Sequence, residues 1–391
     1  MRVKIKDIAK QIRGVSYKPI DVMDSLTKSS ITLLRANNIS DGFINFEEVA
    51  FINKQRVKEN QLLRKGDILI CTSSGSKALV GKAAYVDKDM SMTFGAFCKV
   101  VRTIKGNARY LGYFFDSPYY RSIISNASAG ANINNIKTND IDNLEVKWPN
   151  IERQNEIAEI LDKVTSIIDL RKHQIVELNQ LTKSRFIEMF GDPNDVSILS
   201  LPGEKKSIED VCDGIYGGGT PSKSHKEYYT GKIPWVTPKD MKTLSIDDSQ
   251  NHINSEAIEN STAKLIPKRC VLMVIRSGIL KHTLPVAINN VEVTINQDMK
   301  AFVPSSLITP EYLLYTFKLM EKSILSKVRG VTADNIEFSE FRKRRIVVPP
   351  IEVQTQFVDF ALSIDKSKMA VQKSLDELET LKKSLMQTYF G

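Results

Sequence analysis

Trp148–Gly191 reads WPNIERQNEIAEILDKVTSIIDLRKHQIVELNQLTKSRFIEMFG, and Val348–Gly391 reads VPPIEVQTQFVDFALSIDKSKMAVQKSLDELETLKKSLMQTYFG. The two stretches align over 44 residues without a gap, at a distance of 200 residues. Both open with Pro-x-Ile-Glu-x-Gln, at Pro149–Gln154 and Pro349–Gln354, and both end with Lys-Ser followed by Phe-Gly. A repeat of this period is too long for a solenoid and indicates a duplicated unit.

The similarity continues upstream, where it becomes weaker. Tyr110-Leu111-x-Tyr113 corresponds to Tyr312-Leu313-x-Tyr315, and Ser74-Gly75 corresponds to Ser277-Gly278, each Ser-Gly pair following an apolar run. Each half is therefore a globular body followed by a tail. The four segments are body 1 (residues 1–147), tail 1 (148–191), body 2 (192–347) and tail 2 (348–391).

Each tail has the pattern of a long amphipathic helix. Proline and acidic residues open both tails, as helix starts prefer. Apolar residues then recur at steps of three and four, which is coiled-coil spacing. They are Ile157, Leu161, Val164, Ile168, Ile175 and Leu178 in tail 1, and Phe357, Ala361, Ile364, Val371, Leu375, Leu378 and Leu385 in tail 2. Gly191 and Gly391 stand where such helices would end.

An apolar stripe of this length needs a partner surface. Polar positions of one stripe often match apolar positions of the other, as at Arg171 with Val371 and at Ile168 with Lys368. We therefore expect the two tails to pack against each other. The alternative is that each tail packs only on its own body.

The bodies have the sequence features of mixed domains, which makes the expected fold class α+β. Short β-branched or apolar runs separated by Gly, Asn and Pro turns predict strands. These runs are Ile68–Cys71, Val271–Ile275, Val286–Ile288 and Val291–Ile295. Short helices are expected at Tyr110–Phe115 and Tyr312–Leu319.

Composition narrows the class of protein. The chain has 391 residues, of which 42% are hydrophobic, and this length favours two or more domains. Lys and Arg outnumber Asp and Glu by 55 to 46, giving a net charge of +9. A basic excess favours a polyanionic partner, although many cytoplasmic proteins are equally basic.

Cysteine usage and hydropathy predict a cytoplasmic protein without a membrane anchor. The four cysteines are dispersed along the chain, which fits a reducing compartment. The basic start of the chain lacks the apolar run of a signal peptide. Apolar runs such as Val271–Ile275 are far too short to cross a bilayer.

The sequence contains only incomplete versions of common active-site motifs. Gly75–Ala83 resembles a phosphate loop, but it has five residues between its glycines instead of four, and Ala83 replaces the Mg²⁺-binding hydroxyl residue. Glu145-Val146-Lys147 matches half of a nuclease metal motif, without the preceding Pro-Asp. Val348-Pro-Pro-Ile351 lacks the amide and the aromatic residue of an adenine-methyltransferase loop. The four histidines are scattered without metal-ligand spacing. We expect no catalytic residue, no cofactor and no metal ion in this chain.

Polar loops in both bodies carry the side chains that DNA-binding surfaces use. Ser, Thr, Asn, Lys and Arg hydrogen-bond phosphates and base edges, and glycines allow a close backbone approach. The candidates are Ser74, Lys77, Asn132 and Asn134 in body 1, and Thr220, Ser222, Lys223, Lys239, Arg276, Lys281 and His282 in body 2. Each loop alone could be an ordinary turn, but equivalent loops after equivalent strands favour a shared role. The basic run Arg342–Arg345 could bind phosphate or simply face solvent.

These features together resemble the specificity (S) subunit of type I restriction–modification systems. The resemblance covers essentially the whole chain and rests on the ordered set of motifs, not on any single one. Besides the tail openings and endings, the motifs are Gly14–Pro19, Leu33–Ile39, Gly218–Ser222, Ile233–Val236 and Ile295–Met299.

The resemblance implies a non-catalytic, prokaryotic subunit that binds double-stranded DNA. Each body would be a target recognition domain for one half of an interrupted site. The tails would pair antiparallel, with the two halves related by a pseudo-twofold axis. They would set the spacing and dock two copies of a modification (methyltransferase) subunit. Restriction (endonuclease) subunits would complete the complex.

Two other function classes stay open on sequence grounds. The chain could be the recognition module of another class of restriction–modification enzyme, or a coiled-coil scaffold with no DNA role. Salt-dependent DNA binding, measured with and without a modification subunit, separates the three possibilities.

Overall fold

A computed structural model describes residues 1–40, 42–76, 78–129, 135–194, 204–328 and 335–391. The chain divides into two compact units: unit 1 comprises Met1–His173 with Val371–Gly391, and unit 2 comprises Gln174–Ala370. Each unit therefore contains one body and a part of both tails. Within the described ranges, every helix is too short or too polar to serve as a membrane span.

Body 1 is built from short strands and helices. The strands are β1 (Arg2–Lys4), β2 (Ala9–Arg13), β3 (Val22–Met23), β4 (Ser30–Leu34), β5 (Ile39–Ser40), β6 (Phe43–Ile44), β7 (Ala50–Asn53), β8 (Asp67–Cys71), β9 (Ala83–Tyr85), β10 (Met92–Phe94), β11 (Cys98–Thr103) and β12 (Glu145–Lys147). The helices are α1 (Ile5–Ile8), α2 (Ala108–Asp116), α3 (Pro118–Ala129) and α4 (Thr138–Asp142). One sheet has the antiparallel order β2-β11-β8-β9, and another has the order β10-β4-β7-β3, in which β10 and β4 are parallel.

Tail 1 is helix α5 (Ile151–Phe190), and tail 2 is a helix of equal length at Ile351–Phe390. Between them, body 2 contains the strands β13 (Glu204–Ser207), β14 (Cys212–Gly217), β15 (Ile233–Val236), β16 (Ser245–Ile246), β17 (His252–Ile253), β18 (Val271–Val274), β19 (Val286–Asn289), β20 (Thr294–Ile295), β21 (Met299–Pro304) and β22 (Arg345–Val348). Its helices are α6 (Ser255–Glu259), α7 (Pro310–Leu325) and α8 (Phe338–Phe341), so that the tail 2 helix is α9.

Body 2 repeats the strand order of body 1. The series β14-β21-β18-β19 corresponds to β2-β11-β8-β9, and the parallel pair β15–β20 corresponds to β4–β10. In each body an amphipathic helix, α2 or α7, buries its aromatic face against the antiparallel sheet. The duplication predicted from the sequence is therefore present in the mixed α+β topology of both bodies.

The predicted elements of the bodies are found with one exception. The runs at Ile68–Cys71, Val271–Ile275 and Val286–Ile288 lie in β8, β18 and β19, and the two short helices are α2 and α7. The prediction of a strand over Val291–Ile295 was wrong for its first part, because only Thr294–Ile295 is a strand. Asn290, the residue after β19, still donates its N–H to the Ile246 carbonyl. The chain turns after Asn290, and β20 begins only at Thr294.

The tail helices follow the predicted pattern. Each has 40 residues, and the predicted apolar stripes are buried or half-buried. Gly191 ends α5 in the left-handed conformation, with φ at 80°, and donates its N–H to the Ile187 carbonyl at 2.8 Å. Glycine is the residue that adopts this capping conformation without strain.

Within each unit the tail segments run antiparallel. In unit 1, Arg153 near the start of α5 lies over the ring of Tyr389 at the end of α9, and Lys172 pairs with Glu379 at 3.4 Å. In unit 2, Phe190 at the end of α5 contacts the ring of Phe357 near the start of α9. The predicted packing of tail against tail is confirmed within each unit, and the tails also pack on the bodies.

The glutamine of the Pro-x-Ile-Glu-x-Gln motif anchors each tail to its body. In unit 2, the buried Gln354 amide donates to the carbonyls of Pro349 at 2.8 Å and Leu307 at 2.9 Å, and its oxygen accepts the N–H of Thr309 at 2.8 Å. Thr309 is the N-cap of α7, so the amide joins the first turn of α9 to the start of the body helix. Gln154 makes the equivalent contact with Asn107, the N-cap of α2.

Contacts between a tyrosine of each body and a phenylalanine of a tail explain two further motifs, Tyr-Leu-x-Tyr and the Phe-Gly ending. The Tyr110 hydroxyl donates to the Lys147 carbonyl at 2.7 Å, and its ring lies 5.0 Å from that of Phe390. In unit 2, Tyr312 and Phe190 repeat the ring contact at 5.0 Å. The Phe-Gly ending of tail 1 therefore docks on body 2, and that of tail 2 docks on body 1.

We expect the Gln354→Ala substitution to destabilise unit 2 by about 2–4 kcal/mol, because the buried Pro349 carbonyl and the partly buried Thr309 N–H and Leu307 carbonyl lose these hydrogen bonds. Urea denaturation of the purified chain measures the change in the free energy of unfolding. Gln372→Ala is the matched control, since Gln372 is exposed on the same helix and bonds only within it, to Asp376. Equal stability of the two variants would show that the buried amide is not an anchor.

Candidate nucleic-acid interface

Each body contains a parallel strand pair whose carboxyl ends meet at one edge. In body 1, β4 and β10 end side by side at Leu34 and Phe94; in body 2, β15 and β20 end at Val236 and Ile295. Because parallel strands point the same way, the loops that follow them emerge together. We call this the parallel-strand edge. It comprises residues 35–38 with 95–97 in body 1 and residues 237–240 with 296–298 in body 2.

In body 2, three of the predicted loops converge on this edge. The Gly219 N–H donates to the Ile295 carbonyl at 2.9 Å, and the Thr220 hydroxyl donates to the side chain of Gln297. The loop after β15 is joined to the edge by the Asn296 N–H, which donates to the Val236 carbonyl at 3.0 Å. The loop after β18 is joined to the parallel-strand edge by Arg276.

Arg276 is held in one orientation by Asp298. Its Nε and Nη2 atoms both lie 2.7 Å from Oδ1 of Asp298, and the Asn296 amide donates to Oδ2 at 3.1 Å. The Arg276 N–H also donates to the Asp298 carbonyl at 3.2 Å. The arginine side chain is 48% exposed, so the outward edge of its guanidinium stays available to a ligand.

The other predicted residues of body 2 are exposed, but they differ in position. Ser222 and Lys223 follow Thr220 in the same loop, and the Ser222 hydroxyl lies 2.7 Å from that of Ser224. Lys239 is exposed on the turn after β15, which Asp240 fixes by accepting the Thr237 N–H at 2.8 Å.

Lys281 and His282 lie at the far end of the loop that begins with Arg276. Both are exposed, and two residues later the Leu284 N–H donates to Glu321 of α7 at 2.9 Å. The contacts of this part of the loop thus lead to α7, and those of Arg276 lead to the parallel-strand edge. The structure supports grouping Arg276 with Thr220 through their contacts with Asp298 and Gln297.

Body 1 has the same arrangement around the predicted Ser74 turn. The N–H groups of Thr72 and Ser73 donate to the Phe97 carbonyl at 2.9 and 3.1 Å, and Ser73 pairs with Asn135 in an isolated bridge. Arg276 and Asn335 form the equivalent bridge in body 2. The turn that carries Ser74 therefore reaches the parallel-strand edge of body 1. Lys77, Asn132 and Asn134 lie outside the described residues.

Body 1 also has polar residues at the edge, and beside it, that were not predicted from the sequence. A cavity of about 1070 Å³ beside Ser74 is lined by Ser16, Tyr17, Arg35 and Asn37. The repeat held a signal for them, because Gly14 and Leu34 take the places of Gly218 and Val236. Asn37 consequently occupies the position of Lys239.

A close approach of the backbone explains why a glycine stands at the start of the loop after β2 and of the loop after β14. We call these two loops the first loops. A Cβ on Gly218 would lie 2.0 Å from the Asn296 carbonyl oxygen, and one on Gly14 would lie 2.0 Å from that of Gly95. Both distances are far inside van der Waals contact. The first loop can therefore reach the parallel-strand edge only if these positions lack a side chain.

Two buried cysteines lie behind the edge of body 1. Cys71 and Cys98 pair across β8 and β11 behind the edge of body 1, and burial raises the pKa of the Cys71 thiol to about 11. Burial raises the pKa of Cys98 as well, so both thiols are protonated at neutral pH. In the described part of the chain, no group of His, Cys, Asp and Glu side chains has the arrangement of a metal site.

Comparison with known protein families identifies the two halves. The family model described as type I restriction modification DNA specificity domain matches residues 3–180 and again residues 202–380. The chain belongs to this family. The two matches of the specificity-domain model correspond to the two copies of the body-and-tail repeat.

Curated relatives are similar to part of this specificity-domain chain. The StySPI specificity subunit of Salmonella potsdam is 37% identical over 46% of this chain and 39% of its own length. The EcoKI specificity subunit of Escherichia coli K12 is 38% identical over the same shares. The EcoR124I/EcoR124II specificity subunit is 32% identical over 60% of this chain and 57% of its own. The matched region thus spans between two fifths and three fifths of these relatives.

Two solved structures share the fold over the whole chain. One, from a study of complex assembly and conformational transition of the type I R-M system, has a TM-score of 0.59 at 18% identity and covers 100% of this chain and 97% of the other. The S subunit from M. genitalium has a TM-score of 0.58 at 14% identity, with coverage of 100% and 96%. At these identities the comparison shows the fold alone.

We expect Gly218→Ala to destabilise unit 2 by about 1–3 kcal/mol, because the backbone must move to relieve the overlap with residues 295 and 296. Thermal denaturation of the purified chain measures the effect. Gly278→Ala is the control, since a Cβ there meets no atom within 4 Å. If Gly218→Ala were as stable as the control, the close approach would not constrain the edge.

Proposed function

We propose that this chain is the DNA specificity subunit of a type I restriction–modification complex. Body 1 (residues 1–147) and body 2 (residues 192–347) each recognise one half of an interrupted double-stranded DNA site. The tails (residues 148–191 and 348–391) carry the docking surfaces for partner subunits. The chain itself is non-catalytic, and the partners perform methylation and cleavage.

One observation carries the proposal. Both bodies bring the same loops to the same parallel-strand edge through the same main-chain hydrogen bonds, but the side chains on the two edges differ. Arg276 with Asp298 stands in body 2 where Ser73 with Phe97 stands in body 1. A common scaffold with different side chains is what two readers of different base sequences require.

The proposed contact residues are those predicted from the sequence. They are Ser74, Lys77, Asn132 and Asn134 in body 1, and Thr220, Ser222, Lys223, Lys239, Arg276, Lys281 and His282 in body 2. The net charge of +9 supports a polyanionic ligand. Exposed cations on both edges, such as Arg35 and Lys239, are suited to phosphate contacts.

Partner docking is proposed for the outer faces of the tails. In unit 1, Leu170 is 65% exposed on α5, and in unit 2, Met369 is 74% exposed on α9. Exposed apolar side chains on long helices are typical of protein–protein contacts. We propose that two modification subunits bind the tails and that restriction subunits join the assembled complex.

The modular assignment predicts the result of a body exchange. Replacing residues 207–347 with the equivalent segment of another specificity subunit should change one half of the methylated site and leave the other half unchanged, since each body has its own edge. Sequencing of methylated DNA from cells that carry the chain with its partner subunits identifies both halves.

The unexchanged chain in the same cells is the control, and it assigns the retained half to body 1. A change in both halves would contradict the modular assignment. Absence of any interrupted methylated site with the unexchanged chain would contradict the proposed function itself.

Arg276 should act as a base-reading residue. We expect Arg276→Ala to reduce discrimination at one base pair of the body 2 half-site by about 1–3 kcal/mol. Asp298→Asn should also relax discrimination there, because the guanidinium loses its charged anchor, while binding to unrelated DNA is retained. Binding of matched and mismatched duplexes at several salt concentrations measures both effects.

Arg269→Ala provides a matched control for Arg276→Ala. Arg269 is likewise 48% exposed and likewise paired with a carboxylate, Glu311, but it precedes β18, whereas Arg276 follows it. Equal discrimination by the two variants would remove Arg276 from the reading surface.

A further inference from the structure

The two parallel-strand edges carry different chemistry at one equivalent position. Phe97 in body 1 and Asp298 in body 2 each accept two main-chain hydrogen bonds from the loop that follows β8 or β18. Each residue is also the third of a turn closed by a hydrogen bond, from Cys98 to Gly95 or from Met299 to Asn296. The backbones match, so the two positions differ in their side chains: a phenyl ring in body 1 and, in body 2, a carboxylate that holds Arg276.

The phenyl ring of Phe97 is 69% exposed. Single exposed apolar residues are common on protein surfaces, so exposure alone says little. The surroundings of Phe97 are more informative, because the cavity that it lines is also lined by Ser16, Arg35, Asn37 and Ser74. An apolar ring thus stands among hydrogen-bonding and cationic side chains at the edge where the loops meet.

The chemistry of DNA restricts what such a ring can contact. Phosphates, sugars and most base-edge groups in the grooves are polar, and the 5-methyl group of thymine is the apolar feature of the major groove. A phenyl ring flanked by hydrogen-bond donors is suited to a base pair that presents a methyl group beside polar atoms. A guanine is less suited to the ring, since its major-groove edge presents two acceptors and no apolar group.

We propose that Phe97 packs against the 5-methyl group of a thymine in the half-site recognised by body 1. It is a specificity-determining residue, and body 2 uses Arg276 held by Asp298 at the equivalent place. This inference rests on the proposed function, because it requires body 1 to contact DNA bases.

The test uses the full chain in complex with its modification subunits and duplexes that carry its methylated site. The body exchange described above identifies the half-site that belongs to body 1. Each thymidine in that half is replaced in turn by deoxyuridine, which removes only the methyl group. At one position the replacement should weaken binding by the native complex about fourfold, the effect of one lost methyl contact.

The variant Phe97→Ala should bind the thymidine and deoxyuridine duplexes equally at that position. Its selectivity for the body 2 half-site should be unchanged, and this selectivity shows within the same measurement that the variant is folded. Phe97→Leu keeps an apolar side chain and should retain a part of the methyl effect.

Ile104→Ala is the control for truncation of an exposed apolar side chain. Ile104 is 55% exposed at the opposite end of β11 from Phe97, about 20 Å away along the strand. This variant should show the full deoxyuridine effect of the native complex.

Three results would overturn the inference while leaving the proposed function intact. They are a body 1 half-site without an A·T pair, deoxyuridine duplexes that bind as well as thymidine duplexes, and a methyl effect that persists unchanged in Phe97→Ala. If the ring instead inserted between base pairs, deoxyuridine duplexes would bind as well as thymidine duplexes, which is the second of these results. The Phe97→Ala variant would then bind DNA more weakly than the native complex. A native complex that selects no interrupted site would overturn both the inference and the proposed function.

Discussion

One buried side-chain amide in each half positions the rest of the structure. Gln154 and Gln354 join the first turn of a tail helix to the N-cap of a body helix. The amide satisfies main-chain groups that would otherwise be buried without partners, and such groups cost about 1–3 kcal/mol each. It thereby fixes the direction in which the tail leaves its body. The antiparallel pairing of tail segments within a unit and the seating of Phe190 or Phe390 on the body tyrosine both depend on that direction.

The tails were predictable because their determinants are local. Apolar spacing, an opening proline and a closing glycine act over a few residues, so the sequence placed both helices within a few residues of their observed ends. The role of the motif glutamine was not predictable in this way. Gln354 contacts Thr309 across 45 residues of sequence, and no periodic pattern reports such a contact. The repeat showed that the glutamine recurs, and only the fold showed what it binds.

The candidate interface was predictable to the extent that the repeat could be followed through the bodies. Ser74 and Arg276 were found because both lie in the turn after an apolar strand, where Ser-Gly recurs at Ser74-Gly75 and Ser277-Gly278. Asn37 was missed because the bodies align only with gaps, which hid its correspondence to Lys239. Phe97, for which a base contact is proposed, was not predicted from the sequence, because polar character was the criterion and its side chain is aromatic. The strand prediction at Val291 was wrong because apolar character alone does not mark where a strand pairing ends.

The main-chain hydrogen bonds at Phe97 and Asp298 have an evolutionary consequence. At both positions the carbonyl group holds the neighbouring loop, and in body 2 the Asp298 carboxylate adds contacts with Arg276 and Asn296. A mutation in either codon can therefore exchange the side chain while these main-chain hydrogen bonds are kept. Selection for stability leaves such a position free to drift. Under the proposed function, a lineage acquires a new recognition sequence by single substitutions, through intermediates that remain folded.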